Sequence, residues 1–369
     1  MGALPKRPVE FYFGGLMSPF RSSNNRSLNL EDIAARAGVS RSTVSRVINN
    51  SPNVSAQTRQ RVLEVIEAEG FAPNPAARAL VTQRNQVIGV VIPQIPAVVF
   101  EDAYYFPTLL QGVSRITSEH DYAMLLWLGQ SDQDEERFYK RIERNRLMDG
   151  VILASAPSDD PLIEHFLKTD TPFVMVERAE RHRDRISYVS VDNIAAAQQA
   201  VTHLIRLGRK RIGTITGKLA IPDGRDRLEG YRRAFYEAGM PLDQTLIVEG
   251  DFTHRSGYEG MKRLLEQKVD AVFAASDITA RGALLAMQEA GVCVPDDVAI
   301  VGFDDLPTAT QVTPPLTTVH QPIEEKGARA AELLIRLIEG SLQGPQQILL
   351  PTELIIRQSC GATGLHHER

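Results

Sequence analysis

The sequence predicts an all-α helix-turn-helix head joined to an α/β body of two doubly wound parallel-sheet lobes. Three observations predict it. Three short amphipathic helical segments lie between residues 30 and 70. The rest of the chain alternates short apolar runs with amphipathic stretches, the pattern of parallel strands connected by helices on both faces of a sheet. The body also repeats itself: Val87-Ile-Gly-Val-Val-Ile92 and Arg211-Ile-Gly-Thr-Ile-Thr216 open two halves, and Asp149-Gly-Val-Ile-Leu-Ala-Ser155 returns as Asp270-Ala-Val-Phe-Ala-Ala-Ser276. Two similar lobes imply a cleft between them, with a ligand at the carboxyl ends of the strands.

The first helix of the head has Leu30, Ile33, Ala34 and Ala37 on one face, the spacing of a buried helical stripe. Asn29 is a good N-cap, and Glu31 and Asp32 suit the positive end of the helix dipole. Gly38 ends the helix, and Ser40 caps a second helix buried through Val44, Val47 and Ile48. Two short helices joined by a turn with glycine follow the helix-turn-helix plan. Ser55 caps a third helix, packed through Val62, Val65 and Ile66 and stopped by Gly70. The second helix exposes Arg41, Ser42, Ser45, Arg46 and Asn49. Arginine can pair with both acceptors of guanine, and serine can reach bases or phosphates.

Charge supports that face as a DNA reader. Residues 1–84 carry eleven Lys/Arg against six Asp/Glu, a net +5 that leaves −10 for the remainder of a chain whose total is −5. A basic head on an acidic body fits a small nucleic-acid module on a ligand-binding body. With 43% hydrophobic and 24% charged residues, the composition is that of a soluble globular protein. No apolar run approaches the ~20 residues of a membrane helix. Val9 to Met17 is broken by Glu10 and Gly14-Gly15, so it is no secretory signal. Cys293 and Cys360 form no CxxC. A cytoplasmic, nucleoid-associated protein is expected.

The run Leu30-Glu-Asp-Ile-Ala-Ala-Arg-Ala-Gly-Val-Ser-Arg-Ser-Thr-Val-Ser-Arg-Val-Ile-Asn49 closely resembles the head of the lactose-repressor/galactose-repressor (LacI/GalR) family of bacterial transcription regulators. Phe71-Ala-Pro-Asn-Pro-Ala-Ala-Arg-Ala-Leu80 resembles that family's hinge helix. The resemblance implies a DNA-contacting set of Asn29, Leu30, Ser40, Arg41, Ser42, Thr43, Ser45, Arg46, Asn49, Asn74, Arg78 and Leu80. Leu80 stands where the family wedges a leucine into the minor groove, a kink whose cost of about a few kcal/mol is offset by added contacts.

The likeness runs from residue 28 to about residue 360. Val191-Asp-Asn193, Gly208-Arg-Lys-Arg-Ile212, Gly302-Phe-Asp-Asp305 and Pro314-Pro-Leu-Thr-Thr-Val-His-Gln321 sit in family order, which implies a periplasmic-binding-protein-like body. The expected divisions are an extension at 1–27, the head at 28–72, hinge helix and linker at 73–85, the body at 86–361 and a tail at 362–369. Within the body the first lobe takes about 86–189 and 320–344, the second about 190–319 and 345–361. Met17 is an alternative start of translation.

The same resemblance places an effector site between the lobes. Arg227 is the family's arginine for effector hydroxyls, with a fixed fork of donors, and Asp304 its carboxylate acceptor. Glu177 stands at a position that is usually Asp, and Ser276 at one that is usually Asn. Tyr105, Phe106 and Phe252 are candidate stacking rings, and Trp127 reads as core or lobe-interface packing. Arg178 replaces the tryptophan of the family's purine sites, and Asp223 is an acceptor suited to hydroxyls. Together these favour a sugar or sugar derivative; a purine- or nucleoside-responsive corepressed regulator is the alternative.

Enzymatic constellations are missing from the pattern: no HExxH, no GxSxG, no metal-spaced Cys/His cluster, and no cofactor is expected. Gly213-Thr-Ile-Thr-Gly-Lys-Leu219 is one residue short of a phosphate loop and has Leu where Ser or Thr would hold magnesium. A solute-binding receptor would share the body but not the head. The expected partners are a palindromic double-stranded operator, a small-molecule effector and a second copy of the chain, because a symmetric dimer matches a palindrome.

Overall fold

The computed structural model describes residues 28–48, 51–71, 84–93, 104–129 and 147–362. It divides into two units, residues 1–81 and 82–369. In the first, α1 (Leu30–Ala37), α2 (Arg41–Ile48) and α3 (Ala56–Ala68) stand where the periodicity predicts them. Asn29 and Asp32 form a reciprocal capping box, each side chain holding the other's backbone N–H at 2.9 Å, which satisfies two donors at the start of α1. Gly38 closes α1 in the left-handed region, at φ 63°, a conformation that costs glycine little. Ile33, Ala34, Ala37, Val44, Val47, Val62 and Phe71 fill the core between the three helices.

The second unit holds the two predicted lobes. In the first lobe the elements run β1 (Val87–Ile92), α4 (Tyr105–Glu119), β2 (Ala123–Leu128), β3 (Gly150–Ala154), α5 (Pro161–Thr169), β4 (Phe173–Val176) and β5 (Ser187–Val191). In the second they run α6 (Asn193–Arg206), β6 (Ile212–Ile215), α7 (Pro222–Glu237), β7 (Ile247–Val248), α8 (His254–Glu266), β8 (Ala271–Ala274), α9 (Asp277–Glu289), β9 (Ala299–Asp304), α10 (Thr308–Gln311) and β10 (Thr317–His320). Then α11 (Ile323–Ile338) and β11 (Gln347–Leu350) return to the first lobe, and β12 (Glu353–Ile355) closes the second. The sheet orders are β11-β5-β4-β3-β1-β2 and β12-β10-β9-β8-β6-β7. Among the described strands every pairing is parallel except β10 with β12.

The central strands of each sheet are buried on both faces, which is why they read as nearly unbroken apolar runs. Successive residues of β3 turn to opposite sides: Ile152 and Ala154 pack towards α4 and α11, Val151 and Leu153 towards α5. The cover is tight where α4 meets α11. A Cβ on Gly112 would overlap the carbonyl of Glu324, and one on Gly327 would overlap that of Leu109. Trp127 is half-buried against the α5-side core, the packing role expected of it.

The last crossing differs from the expected one. Gln347–Leu350 pairs with β5 in the first sheet, so the chain returns to the second lobe after Leu350, not at 345. A four-residue strand at a sheet edge, half of it exposed, carries too little pattern to be assigned to either lobe from sequence.

Candidate effector site and DNA-binding face

In the head, the residues named for DNA contact differ in exposure and in partners. Arg41 and Arg46 are exposed on α2; Arg41 lies 3.1 Å from Glu31, with the two side chains 67% and 56% exposed, a screened pair that water or phosphate can replace. Asn29 and Ser40 are held as caps: the Ser40 hydroxyl accepts the Thr43 N–H at 3.2 Å and lies 2.8 Å from both the Ser42 and Thr43 hydroxyls. Leu30 packs against the helical core, and Ser45 is half-buried. Asn49, Asn74, Arg78 and Leu80, with the predicted hinge helix, lie outside the described residues.

In the body, a continuous chain of buried polar side chains joins the lobes. The Tyr105 hydroxyl, at the start of α4, lies 3.4 Å from the Lys326 ammonium on α11. Lys326 donates to Gln321 Oε1 at 2.7 Å, and Gln321 Nε2 donates to Asp304 Oδ1 at 2.6 Å. Asp304, the last residue of β9, accepts from Arg227 NH1 at 3.2 Å, and Arg227 Nε donates to Asn193 Oδ1 at 2.9 Å. Asn193 in turn donates to Asp223 Oδ1 at 2.9 Å. Lys326, Gln321, Arg227, Asp304, Asn193 and Asp223 are each 5% exposed or less. Burying so many polar groups is tolerable because each is hydrogen-bonded by its neighbour.

Asp223 and Arg227 stand four residues apart on α7, hence on one face, and their charged atoms are 3.7 Å apart. Arg227 presents five N–H donors. Nε serves Asn193, and NH1 serves the Ala275 carbonyl and Asp304. Its NH2 donors, beyond hydrogen-bond distance of Asp223, can meet a ligand hydroxyl. The guanidinium lies over the Phe303 ring, 3.6 Å from its centroid, with the Phe252 centroid at 5.6 Å, an arrangement that stabilises the cation where water is scarce. Asp304 and Phe252 both adopt positive φ, 109° and 69°, backbone strain of the kind that concentrates at functional sites.

Glu177 directly follows β4 and is 1% exposed. Its carboxylate accepts the Ser155 N–H at 2.8 Å. Burial, and next the nearby Asp223, hold it well above the usual carboxylate range, against the opposing pull of Lys326. Burial likewise raises the Tyr105 phenol, helped by Glu177, Asp223 and Asp304. Asp277 is raised by burial and then by Asp304; it accepts the Leu306 N–H and the Thr318 hydroxyl at 2.8 and 2.6 Å and so fixes the loop after β9.

Three of the expected effector residues are placed otherwise. Arg178 grips both oxygens of Asp226 at 2.9 and 2.6 Å, so a carboxylate of the protein already occupies its fork. Ser276 caps α9, accepting the Thr279 N–H at 3.1 Å. Phe106 lies in the first-lobe core, its neighbour Tyr105 facing the polar chain. Sequence reasoning assigned no role to Asn193, Gln321, Phe303 and Lys326. The first three stand inside motifs it singled out. Lys326 carried its own signal, a lysine on the helical face of Ile323, Ala330 and Leu334, where only a partnered charge can be buried.

The architecture and the chain's sequence both have counterparts. The family description "Bacterial regulatory proteins, lacI family" matches residues 29–74, and "Periplasmic binding protein-like domain" matches residues 201–360. The HTH-type transcriptional regulator CelR of Thermobifida fusca is 41% identical over 337 residues, 90% of this chain and 98% of that protein. A solved structure described as a transcriptional regulator CelR-cellobiose complex aligns with TM-score 0.72 at 38% identity, covering 90% of this chain and 99% of its own. The lac repressor dimer bound to operator and the anti-inducer ONPF shares the fold, with TM-score 0.78 at 24% identity over 91% of this chain and 100% of its own.

Proposed function

Because this chain belongs to the lacI family of bacterial transcription regulators, we propose that it is a repressor that binds a palindromic operator as a homodimer and answers to a neutral saccharide bound between its lobes. It works in the cytoplasm, on nucleoid DNA. The single observation that carries the effector half is the Arg227 cluster. A buried guanidinium whose NH2 makes no hydrogen bond among the described residues, flanked by Asp223, Asp304 and Glu177 at the junction of two lobes, suits vicinal hydroxyls. The solved CelR relative holds cellobiose, which makes a β-linked glucose disaccharide the first probe for this chain.

The DNA half rests on α2. Arg41, Ser42, Ser45 and Arg46 form the groove-facing set, with Asn49 beyond it, and Leu80 is the minor-groove wedge between half-sites. Effector changes the angle between the lobes and thereby the spacing of paired hinge helices. The coupling is reciprocal, so a saccharide that weakens operator binding is itself held less tightly by the DNA complex.

Fluorescence anisotropy on a palindrome selected from random DNA tests the proposal, first without ligand and then against cellobiose and a panel of related saccharides. Sequence-selective binding released by a saccharide supports it. Selective binding that no saccharide alters removes the effector half, and no selective binding removes the regulator altogether.

A further inference from the structure

Beside the buried polar chain, the two lobes meet a second time through partly exposed charges. From the first lobe, Arg178 holds Asp226 of α7 by two parallel hydrogen bonds at 2.9 and 2.6 Å. From the second lobe, Arg225 reaches back to Glu180 at 2.7 Å and to the hydroxyl of Ser158. Glu180 also lies 3.6 Å from Arg178, and the Ser158 N–H donates to the Ala220 carbonyl at 3.2 Å. Each lobe therefore offers one cation and one anion to the other. Such a reciprocal square holds one register, because a slide in either direction would bring like charges together.

Exposure separates this cluster from the interior chain. The side chains of Arg178, Glu180 and Arg225 are 23%, 29% and 35% exposed, and Asp226 is 9% exposed. Water reaches three of the four groups, so they can part without stranding a charge in a dry interior, the penalty that makes fully buried pairs hard to break. Fork geometry and a four-member network nonetheless give them more than the small worth of an isolated surface pair. Their position on α7 matters as much. Asp223 and Arg227 of the candidate effector site lie on the same 16-residue helix, Pro222–Glu237, immediately around Arg225 and Asp226. A helix of four turns moves as a unit, so a displacement at one pair is felt at the other.

We propose that Arg178, Glu180, Arg225 and Asp226 form a closure latch between the lobes, opened for effector entry and re-formed when effector engages Asp223 and Arg227 on the same helix. The coupling half rests on the reading of the interlobe site as the effector site. The latch half does not, and the experiment separates them.

The full-length chain, with Cys293→Ser to remove its exposed thiol, receives one spin label on each lobe through Lys168→Cys and Glu237→Cys. Electron–electron distance distributions are then recorded without ligand. Relative to this parent, Asp226→Asn and Glu180→Gln should each raise the open-to-closed ratio about tenfold, the two together more. Salt from about 0.05 to about 1 M, where screening shortens to about 3 Å, should open the parent but not the double variant, whose remaining cations Arg178 and Arg225 repel each other less as salt rises. Circular dichroism establishes that each variant is folded. A folded double variant with the parent's distribution at both salt levels overturns the latch. Cellobiose is then titrated into both proteins. Depletion of the longer distance, with weaker affinity in the double variant, supports the coupling; equal affinity in both overturns it. Failure of cellobiose and its relatives to bind, with opening still seen in the variants, supports the latch and removes the saccharide reading instead.

Discussion

Arg227→Met deletes the guanidinium between Asp304 and Asp223 while keeping a stem long enough to cover Phe303. Both carboxylates are 5% exposed, so the loss takes the Arg227 cation from two buried anions. Removing one partner of a buried pair costs about 3–5 kcal/mol. Each carboxylate keeps an amide donor, Gln321 at 2.6 Å for Asp304 and Asn193 at 2.9 Å for Asp223. That places the loss near the lower end, about 3 kcal/mol, against a typical total of about 5–15, so the body stays folded. Restoring neutrality at one carboxylate, with Asp304→Asn in the same chain, should recover about 1–2 kcal/mol. Urea unfolding followed by circular dichroism measures both changes, and titration with the saccharide that releases the operator should show binding abolished in the single variant. A loss below about 1 kcal/mol, the worth of a surface pair, or no recovery in the double variant, would refute the claim that Arg227 is the electrostatic centre of the site.

Glu177→Gln tests the raised carboxyl. A folded-state pKa above the unfolded value gives stability that is full below about pH 4.3 and lost as pH rises through the folded value. The glutamine variant should therefore match the wild type near pH 4.5 and exceed it near pH 8, in thermal unfolding at about these two values; a constant difference would sink the assignment. Asn29→Ala removes one arm of the capping box and should cost about 1 kcal/mol in the head's stability, read by urea unfolding of the far-ultraviolet helical signal. Arg46→Ala should weaken operator binding; if Arg46 contacts phosphate, the slope of log affinity against log salt falls by about 1, whereas an unchanged slope with relaxed sequence preference assigns it to a base.

The head was legible in the sequence almost to the residue, because its determinants are local. Asn29, Gly38, Ser40 and Ser55 mark helix ends through contacts within four positions, and the 3.6-residue stripe of Ile33, Ala37, Val44, Val47 and Val62 needs no distant partner to be recognised. The two sheets were legible for a related reason: strands buried on both faces are apolar throughout, and the repeat of one lobe in the other doubled the signal. Arg227, Asp223 and Asp304 could be named because they sit in recognisable motifs at strand and helix ends.

What the tertiary structure alone decided is which polar groups meet. Arg178 read as a ligand contact from its position after β4, yet Asp226, 48 residues away, takes its fork; nothing local to either residue announces that pair. Ser276 looks like a site residue until its hydroxyl is seen to close the first turn of α9. Lys326 and Gln321 become part of the site only when α11 crosses back to the first lobe and brings a buried ammonium to Gln321, which in turn holds Asp304 of β9. The short edge strand β11 changes lobes through hydrogen bonds to β5 that its four side chains do not encode. Local pattern determines elements because capping, turns and amphipathic stripes are short-range. Partnership between charges in a cleft is set by chain crossings over tens to hundreds of residues, and that geometry exists only in the folded body.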